Sequence, residues 1–250
     1  MKTATEILEL MQAIEKRATS LQAILDGREQ LLMELLEGGN IPEYNISMTE
    51  VTVEEKGNKL RYQVSNDYLS FGTRGDAVRM PMLRKNVLPW MRKNKYLLPT
   101  RKMVNQIWDQ AGAKVLFEGW GAPYDTQHMT MLERYWGHNK AINDRLGDEQ
   151  LAALRNGDVL FAGGKKDIIS SWVQKPDKIV IYGGPLEGGG VVQPLMGDHG
   201  WYWIDYSQCF RLVADRAFLN ENEVSVEELL RDPAYSYLVN DECTSFTIQW

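Results

Sequence analysis

The chain has 250 residues, 44% hydrophobic and 25% charged, and a formal charge of −6. That balance is ordinary for a protein able to bury a large core, and the net acidity excludes a chain-wide nucleic-acid coat. No apolar run reaches the roughly eighteen residues that cross a bilayer, and the N-terminus leads into an acidic amphipathic segment and not a secretory core, so a cytoplasmically made protein without signal peptide or membrane span is expected.

Two cysteines, Cys209 and Cys243, are too few for a disulfide framework, and two ordinary thiols are expected. The histidines are His128, His138 and His199, with no HxH or CxxC spacing to seed a zinc site. No metal and no cofactor are expected.

From Ala4 to Leu35 apolar residues recur at steps of three and four: Ala4, Ile7, Met11, Ile14, Ala18, Leu21, Leu25, Leu32 and Leu35, interrupted by Arg28. This is a heptad seam of the coiled-coil kind. Leu10, Ile24 and Leu31 widen it, which suits a bundle or docking onto the chain's own body. Gly27 allows a bend or close helix approach, and Gly38-Gly39-Asn40 with Pro42 ends the helix. The expected organisation is a helical arm over 1–40 and a body over 41–250. The arm either packs on its own body or self-associates through Ile7, Met11, Ile14, Leu21, Leu25, Leu32 and Leu35, and the second is the working expectation, because a lone stripe would leave apolar surface in water.

Beyond residue 40 the period changes to two. Val51 and Val53 alternate against Leu60, Tyr62 and Val64 around Lys56-Gly57-Asn58, a hairpin. Helices follow over 83–93 and 101–111, the second capped by Thr100, then a short strand over 115–117 and a helix from an Asp125 cap to about 146, with another over 149–154. Strands are expected over 158–162, 178–182, 191–195, 201–206 and 210–219, and 246–250 has strand alternation. The glycines at 163–164, 183–184 and 188–190 favour hairpin connections. Ser225 with Glu228 caps a late helix, and Asp232-Pro233 starts another. Helices and strands segregate by region, so the expected class is α+β with a largely antiparallel sheet.

Polar residues crowd the block 163–212: Gly163-Gly164-Lys165-Lys166-Asp167, Ile181-Tyr182-Gly183-Gly184, Gln193-Pro194-Leu195, Asp198-His199 and Asp205-Tyr206-Ser207-Gln208-Cys209. Were the protein an enzyme, Lys165, Lys166, Asp167, His199, Asp205, Ser207 and Cys209 would carry the chemistry, with a lysine beside Ser207 or His199 beside Cys209 activating a nucleophile. The alternative is a set of turn and capping residues. Neither GxGxxG nor GxxxxGKS occurs.

These blocks, with Tyr68-Leu69-Ser70-Phe71-Gly72-Thr73, Val78-Arg79-Met80-Pro81-Met82 and Leu98-Pro99-Thr100-Arg101-Lys102-Met103-Val104, resemble an uncharacterised family of bacteria and their phages over 68–213. Its pattern runs GHKKD, IYGW(H), QPL, a histidine and DYSHGxRLV. Where the pattern has histidine this chain has Gly164, Pro185 and Gln208, leaving His199. The resemblance implies an inactive, repurposed member if those histidines work in relatives.

Arg79, Arg84, Lys85, Arg92, Lys93, Arg101 and Lys102 make a basic segment within 74–102, either a phosphate-binding patch or a face meeting the acidic 215–242 tail. It is the chain's one expected route to nucleic acid. The tryptophans, with Trp201-Tyr202-Trp203 foremost, are core or a sugar-stacking surface. The leading expectation is a non-catalytic assembly protein, a phage virion component whose partners are itself and other virion proteins. The rivals are a hydrolase of cell-wall or other polymeric material and a glycan- or receptor-binding module.

Overall fold

The computed structural model describes residues 1–250 apart from Trp201, Trp203 and Trp250. The strand expected over 201–206 and the end of the one expected over 246–250 therefore lie in part outside the described residues. The remainder of both stretches, residues 202, 204–206 and 246–249, forms turn or irregular chain.

What reads as one heptad-patterned helix is two. Helix α1 (Ala4–Arg17) opens on a capping box in which Thr3 and Glu6 exchange side-chain and backbone bonds. It stops at Ala18, and Ser20 starts α2 (Leu21–Glu37) by accepting the Ala23 N–H at 3.2 Å. The break lets α2 fold back along α1. Gly27 then lies so close to Ile14 that a Cβ at 27 would come within 2.7 Å of its Cγ2, and Arg28 pairs with Glu15.

The folded-back hairpin puts Ile7, Met11, Leu32 and Leu35 into one core with Leu69, Phe71, Val78 and Met80, so the core runs across residue 40. Those four seam residues are covered by the chain's own body and do not present a surface to a second copy. Ile14, Leu21 and Leu25 are half-buried.

A short α3 (Glu43–Ile46) leads to β1 (Met48–Glu55) and β2 (Asn58–Ser65), in antiparallel register from Met48 opposite Ser65 to Glu55 opposite Asn58. Lys56 and Gly57 between them have φ of +50° and +79°, the twist-matched two-residue turn. Next come β3 (Ser70–Gly72) paired with β4 (Ala77–Arg79), α4 (Arg84–Lys93), β5 (Tyr96–Leu97) and α5 (Arg101–Gln110). Thr100 caps α5 by accepting from Met103 N–H, as its sequence position predicts.

Strand β6 (Ala113–Val115) precedes α6 (Thr126–Met129), which Asp125 caps, and α7 (Leu132–Asn156). The Asp125 cap therefore starts a single turn and not the long helix. Helix α7 kinks at Gly147, whose φ of +69° no helix accepts, so it consists of the two helical pieces expected on either side.

Then follow β7 (Phe161–Gly163), β8 (Lys166–Ile169), β9 (Lys178–Pro185), β10 (Val191–Gly200), β11 (Gln208–Cys209), β12 (Val213–Leu219), β13 (Asn222–Ser225) and α8 (Val226–Arg231), which Ser225 caps through Glu228 N–H. After Asp232-Pro233 there is only a 3₁₀ turn, Ser236–Leu238.

The class is α+β with largely antiparallel sheets. One sheet runs β1-β2-β12-β13 with β5 also on β12, and a second runs β10-β9-β8-β11. Two pairings are parallel, β6 with β7 and β8 with β11, so the glycines at 163–164 do not make the expected hairpin. The five-stranded sheet packs Val51, Tyr62 and Ala217 against Met103, Ile107, Leu229 and Leu230 of α5 and α8. A third cluster sets Ile142, Leu146 and Leu154 of α7 against Tyr68, Val115 and Phe161. Both cysteines are free thiols.

Candidate functional site

The polar block becomes a strand where its glycines and lysines suggest a turn. Strand β8 is flanked by β9 and β11, with Asp167 opposite Tyr182 on one side and Cys209 on the other. Side chains of a strand alternate in direction, so Lys166 and Asp167 serve different faces.

On one face, Asp167 lines a cavity of about 280 Å³ together with Tyr68, Asn105, Trp108, Tyr182 and Arg211. These come from the segment after β2, from α5, from β9 and from the strand-to-strand connection before β12. The β9–β10 hairpin, through Gly183, Gly184, Gly189 and Gly190, supplies backbone to its wall. Gly183 has φ of +109°, a backbone conformation that suits glycine, where the chain passes beside the Asp167 carboxyl.

Asp167 is almost wholly buried. Tyr68 donates its hydroxyl to Asp167 Oδ2 at 3.1 Å. Burial pushes the Asp167 carboxyl up to about 6, against the opposing pull of the Arg211 charge and the Tyr68 hydrogen bond. Burial also holds the Tyr68 phenol well above the usual tyrosine range, so Tyr68 keeps its proton and acts as the donor. Arg211 lies with its guanidinium carbon 4.3 Å from the Tyr68 ring centre and donates to the carbonyls of Ser65 and Phe161 at 2.8 and 2.9 Å. It is itself part of the cavity lining. At the rim, Tyr182 donates to Asn105 Oδ1 at 3.0 Å, and the Lys114 ammonium sits 5.3 Å from the Trp108 ring centre.

On the other face, Asp205 gathers the rest of the expected set. Its Oδ1 accepts the Ser207 backbone N–H at 2.7 Å and the Ser207 hydroxyl, its Oδ2 accepts Gln208 Nε2 at 3.1 Å, and Lys166 Nζ stands 3.6 Å from Oδ2. His199 is near enough that, after burial, Lys166 is the next cause depressing its pKa. Ser207 is buried and its hydroxyl is committed to a carboxylate that sits two residues away. Gln208 Oε1 is buried without a hydrogen-bond partner among the described residues.

Lys165 belongs to neither open surface. It is fully buried, its ammonium donates to the Tyr206 carbonyl at 2.5 Å, and burial lowers its pKa to about 8. Cys209 is also fully buried, and burial pushes its thiol up to about 11, which leaves almost no thiolate at neutral pH. The seven expected residues thus divide between a cavity (Asp167), a buried carboxylate cluster (Lys166, His199, Asp205, Ser207) and the interior (Lys165, Cys209), and no nucleophile, base and open cleft coincide.

The basic segment divides as well. Arg79 is interior, bonded through Nε to Asp67 Oδ1 at 2.8 Å. Arg101 pairs with Asp241 and Lys102 with Glu55. Arg84, Lys85, Arg92 and Lys93 remain together on α4, beside a groove of about 950 Å³.

Sequence reasoning missed His138. It is buried between Phe117 and Tyr206, its Nε2 is 3.0 Å from the Glu118 carbonyl, and burial pushes it down to about 2, so it is a neutral packing residue. Asn105 and Trp108 were also missed, since helical spacing within α5 says nothing about a cavity shared with β8 and β9. Among the described residues, no group of three or more His, Cys, Asp and Glu side chains is arranged to hold a metal ion, and no helix is long and apolar enough to cross a membrane.

Tyr68, Val104, Gly163, Asp167, Tyr182, Gly183 and Arg211, spread over five of the sequence blocks named above or their edges, all meet at the one cavity. No protein-family model, curated protein or solved structure matches the chain.

Proposed function

We propose that the protein is a non-catalytic binding module that captures a single sugar ring, or a polyhydroxylated group of that size, in the Asp167 cavity. The observation that carries this is the character of the cavity: mostly apolar walls with planar Trp108 and Tyr182 rings, and polar groups drawn from Asp167, Asn105, Arg211, the tyrosine hydroxyls and glycine backbone. Aromatic faces stack on the apolar face of a sugar, while a carboxylate and an amide take its hydroxyls. The volume of about 280 Å³ sits at the low end for ligand pockets, room for one ring and not for a polymer.

Glycoside hydrolysis ordinarily needs two carboxyls flanking the bond, and Asp167 is the one acid lining this cavity. The expected nucleophiles Ser207 and Cys209 are buried elsewhere. Binding is therefore favoured over turnover.

The resemblance to bacterial and phage sequences supplies the setting: a virion component that presents a glycan pocket to a bacterial surface. Self-association or contact with other virion proteins has as its remaining support the apolar residues the helical hairpin leaves outside, Leu10 and the half-buried Leu21 and Leu25.

The test is a bacterial glycan array probed with the labelled full chain, followed by tryptophan-fluorescence titration of the best ligand. Binding is expected for the parent and is expected to fall at least tenfold in Asp167→Asn and in Trp108→Ala. An array without signal, or both variants binding like the parent, removes the reading.

A further inference from the structure

Two buried groups in the wall of the Asp167 cavity have hydrogen-bonding capacity that the chain itself does not fill. Arg211 is 1% exposed and lines the cavity. Its Nη1 and Nη2 donate to the carbonyls of Ser65 and Phe161, while its Nε is buried with no hydrogen-bond partner among the described residues. A buried donor left unpaired is costly and native interiors keep few of them, so one in a cavity wall calls for an acceptor that a ligand brings. Asp167 is 3% exposed and receives the Tyr68 hydroxyl on Oδ2, although a carboxylate accepts several such bonds.

The two groups flank one residue. Asp167 meets Tyr68 at its hydroxyl, Arg211 lies over the face of the same ring, and the Arg211 charge acts on the Asp167 carboxyl through space. The wall thus sets one donor and one acceptor apart by part of an aromatic ring. The remaining lining limits what can occupy the space beside them. Val104, Ile107, Ala162, Leu186 and Val191 are apolar, and Asn105 Oδ1 is already taken by the Tyr182 hydroxyl.

A plain hexose carries a hydroxyl on nearly every carbon and would bury several of them against such walls without partners. An acetamido group in place of one hydroxyl changes that balance. Its N–H donates, its carbonyl accepts and its methyl is apolar. In a trans amide the N–H and the carbonyl point in opposite directions, so the group is held by an acceptor on one side and a donor on the other. On the reading that the cavity takes a single sugar ring, we propose that the ring is an N-acetylated amino sugar: its acetamido N–H donates to Asp167, its carbonyl accepts from Arg211 Nε, and its methyl packs on the apolar wall.

The experiment is tryptophan-fluorescence titration of the full chain with the methyl glycosides of N-acetylglucosamine, N-acetylgalactosamine, glucose and galactose, with saturation-transfer NMR on each sugar that binds. At least one acetylated sugar is expected to bind at least about tenfold more tightly than its plain counterpart, the discrimination that hydrogen bonds to charged groups support. Its acetyl methyl protons are expected to receive the strongest saturation. Arg211→Lys keeps the charge and lacks the Nε donor, and is expected to erase most of the preference. If that variant does not fold, the parent titration and the methyl signal still decide. Equal binding of acetylated and plain sugars would overturn this inference and leave the single-ring reading standing. So would a parent-like preference in folded Arg211→Lys, or a methyl signal weaker than those of the ring protons. Absence of binding by all four sugars would also overturn it, whereas the single-ring reading falls only if the glycan array is silent as well.

Discussion

Tyr68 donates its hydroxyl to Asp167 Oδ2 across 3.1 Å, joining residues 99 positions apart at the floor of the cavity. The bond ties the titration of a carboxyl on β8 to the segment that follows β2. Burial holds the Asp167 carboxyl near 6 in the folded chain, against an ordinary value of about 3.9 when unfolded. The folded state therefore holds more protons between those values, and the stability this group contributes is full below about pH 4 and lost as pH rises through about 6. Asp167→Asn keeps an acceptor for Tyr68 and abolishes the titration. Relative to the parent, it is expected to gain stability at pH 7.5, by up to about 3 kcal/mol, and to gain none at pH 4. Melting curves at the two pH values test this, and a difference that does not change with pH would contradict it.

Tyr68→Phe approaches the same pair from the other side. The hydroxyl lowers the Asp167 pKa, so its loss should raise the carboxyl above about 6 and leave the ring packed against Phe161, whose centre is 6.0 Å away. Carboxyl-carbon NMR titration reads the shift directly. A carboxyl that titrates at or below the parent value would show that the bond does not act on it.

Much of the architecture is legible in the sequence because it is set by near neighbours. The β1–β2 register follows from alternation and a turn whose residues accept positive φ, and the α5 and α8 starts follow from Thr100 and Ser225 at N-cap positions. The N-terminal break was hidden because steps of three and four continue through Ala18-Thr19-Ser20, so the pattern looks continuous although Ser20 is an N-cap. Strand β8 was hidden because lysine and glycine read as solvent and turn. Lys165 is buried because the Tyr206 carbonyl, 41 residues away, receives its ammonium, and local propensity carries no trace of that partner. The cavity follows the same logic: its sequence blocks could be listed, but their convergence on Asp167 is a property of the sheets.

Close approach of α1 and α2 predicts an unusual cycle at Gly27. Alanine in place of a helical glycine ordinarily gains about 1 kcal/mol. Here its Cβ would stand 2.7 Å from Ile14 Cγ2, and overpacking costs about 1–3 kcal/mol. Gly27→Ala is expected to destabilise the parent and to stabilise the Ile14→Ala variant. Urea denaturation of the four proteins checks the sign reversal, and additive effects would mean that the helices do not meet there.

Burial of the seam in its own chain predicts how truncations should behave. Ile7 is fully buried beside Leu69 and Phe71, whereas Leu10, three residues on, is 37% exposed. Ile7→Ala is expected to cost about 2–5 kcal/mol and Leu10→Ala less than about 1. The cost at Ile7 should not depend on protein concentration, since the lost contacts lie within one chain. A cost that grows on dilution would mean that a second copy completes this core.

The most exposed weakness of the interior is electrical. Arg79 and Asp67 have side chains 4% and 1% exposed, and their 2.8 Å bond is supported by Asn139 and Asn143, whose Oδ1 atoms accept from Arg79 Nη1 at 3.1 and 2.8 Å. Asp67 Oδ1 also accepts the Tyr68 backbone N–H at 2.7 Å, so the pair holds the residue that anchors the cavity floor. Removing either charge leaves the other buried and uncompensated, at about 3–5 kcal/mol. Asp67→Ala and Arg79→Met should each cost that much, while the double variant, which buries neither charge, should cost less than the sum of the two. In the double variant Tyr68 loses its backbone anchor, so ligand affinity at the Asp167 cavity should stay reduced even where stability recovers. Denaturation and ligand titration on the same four proteins separate these effects. Strict additivity in stability would mean that the charges do not act as a pair, and full recovery of affinity would detach Asp67 from the cavity.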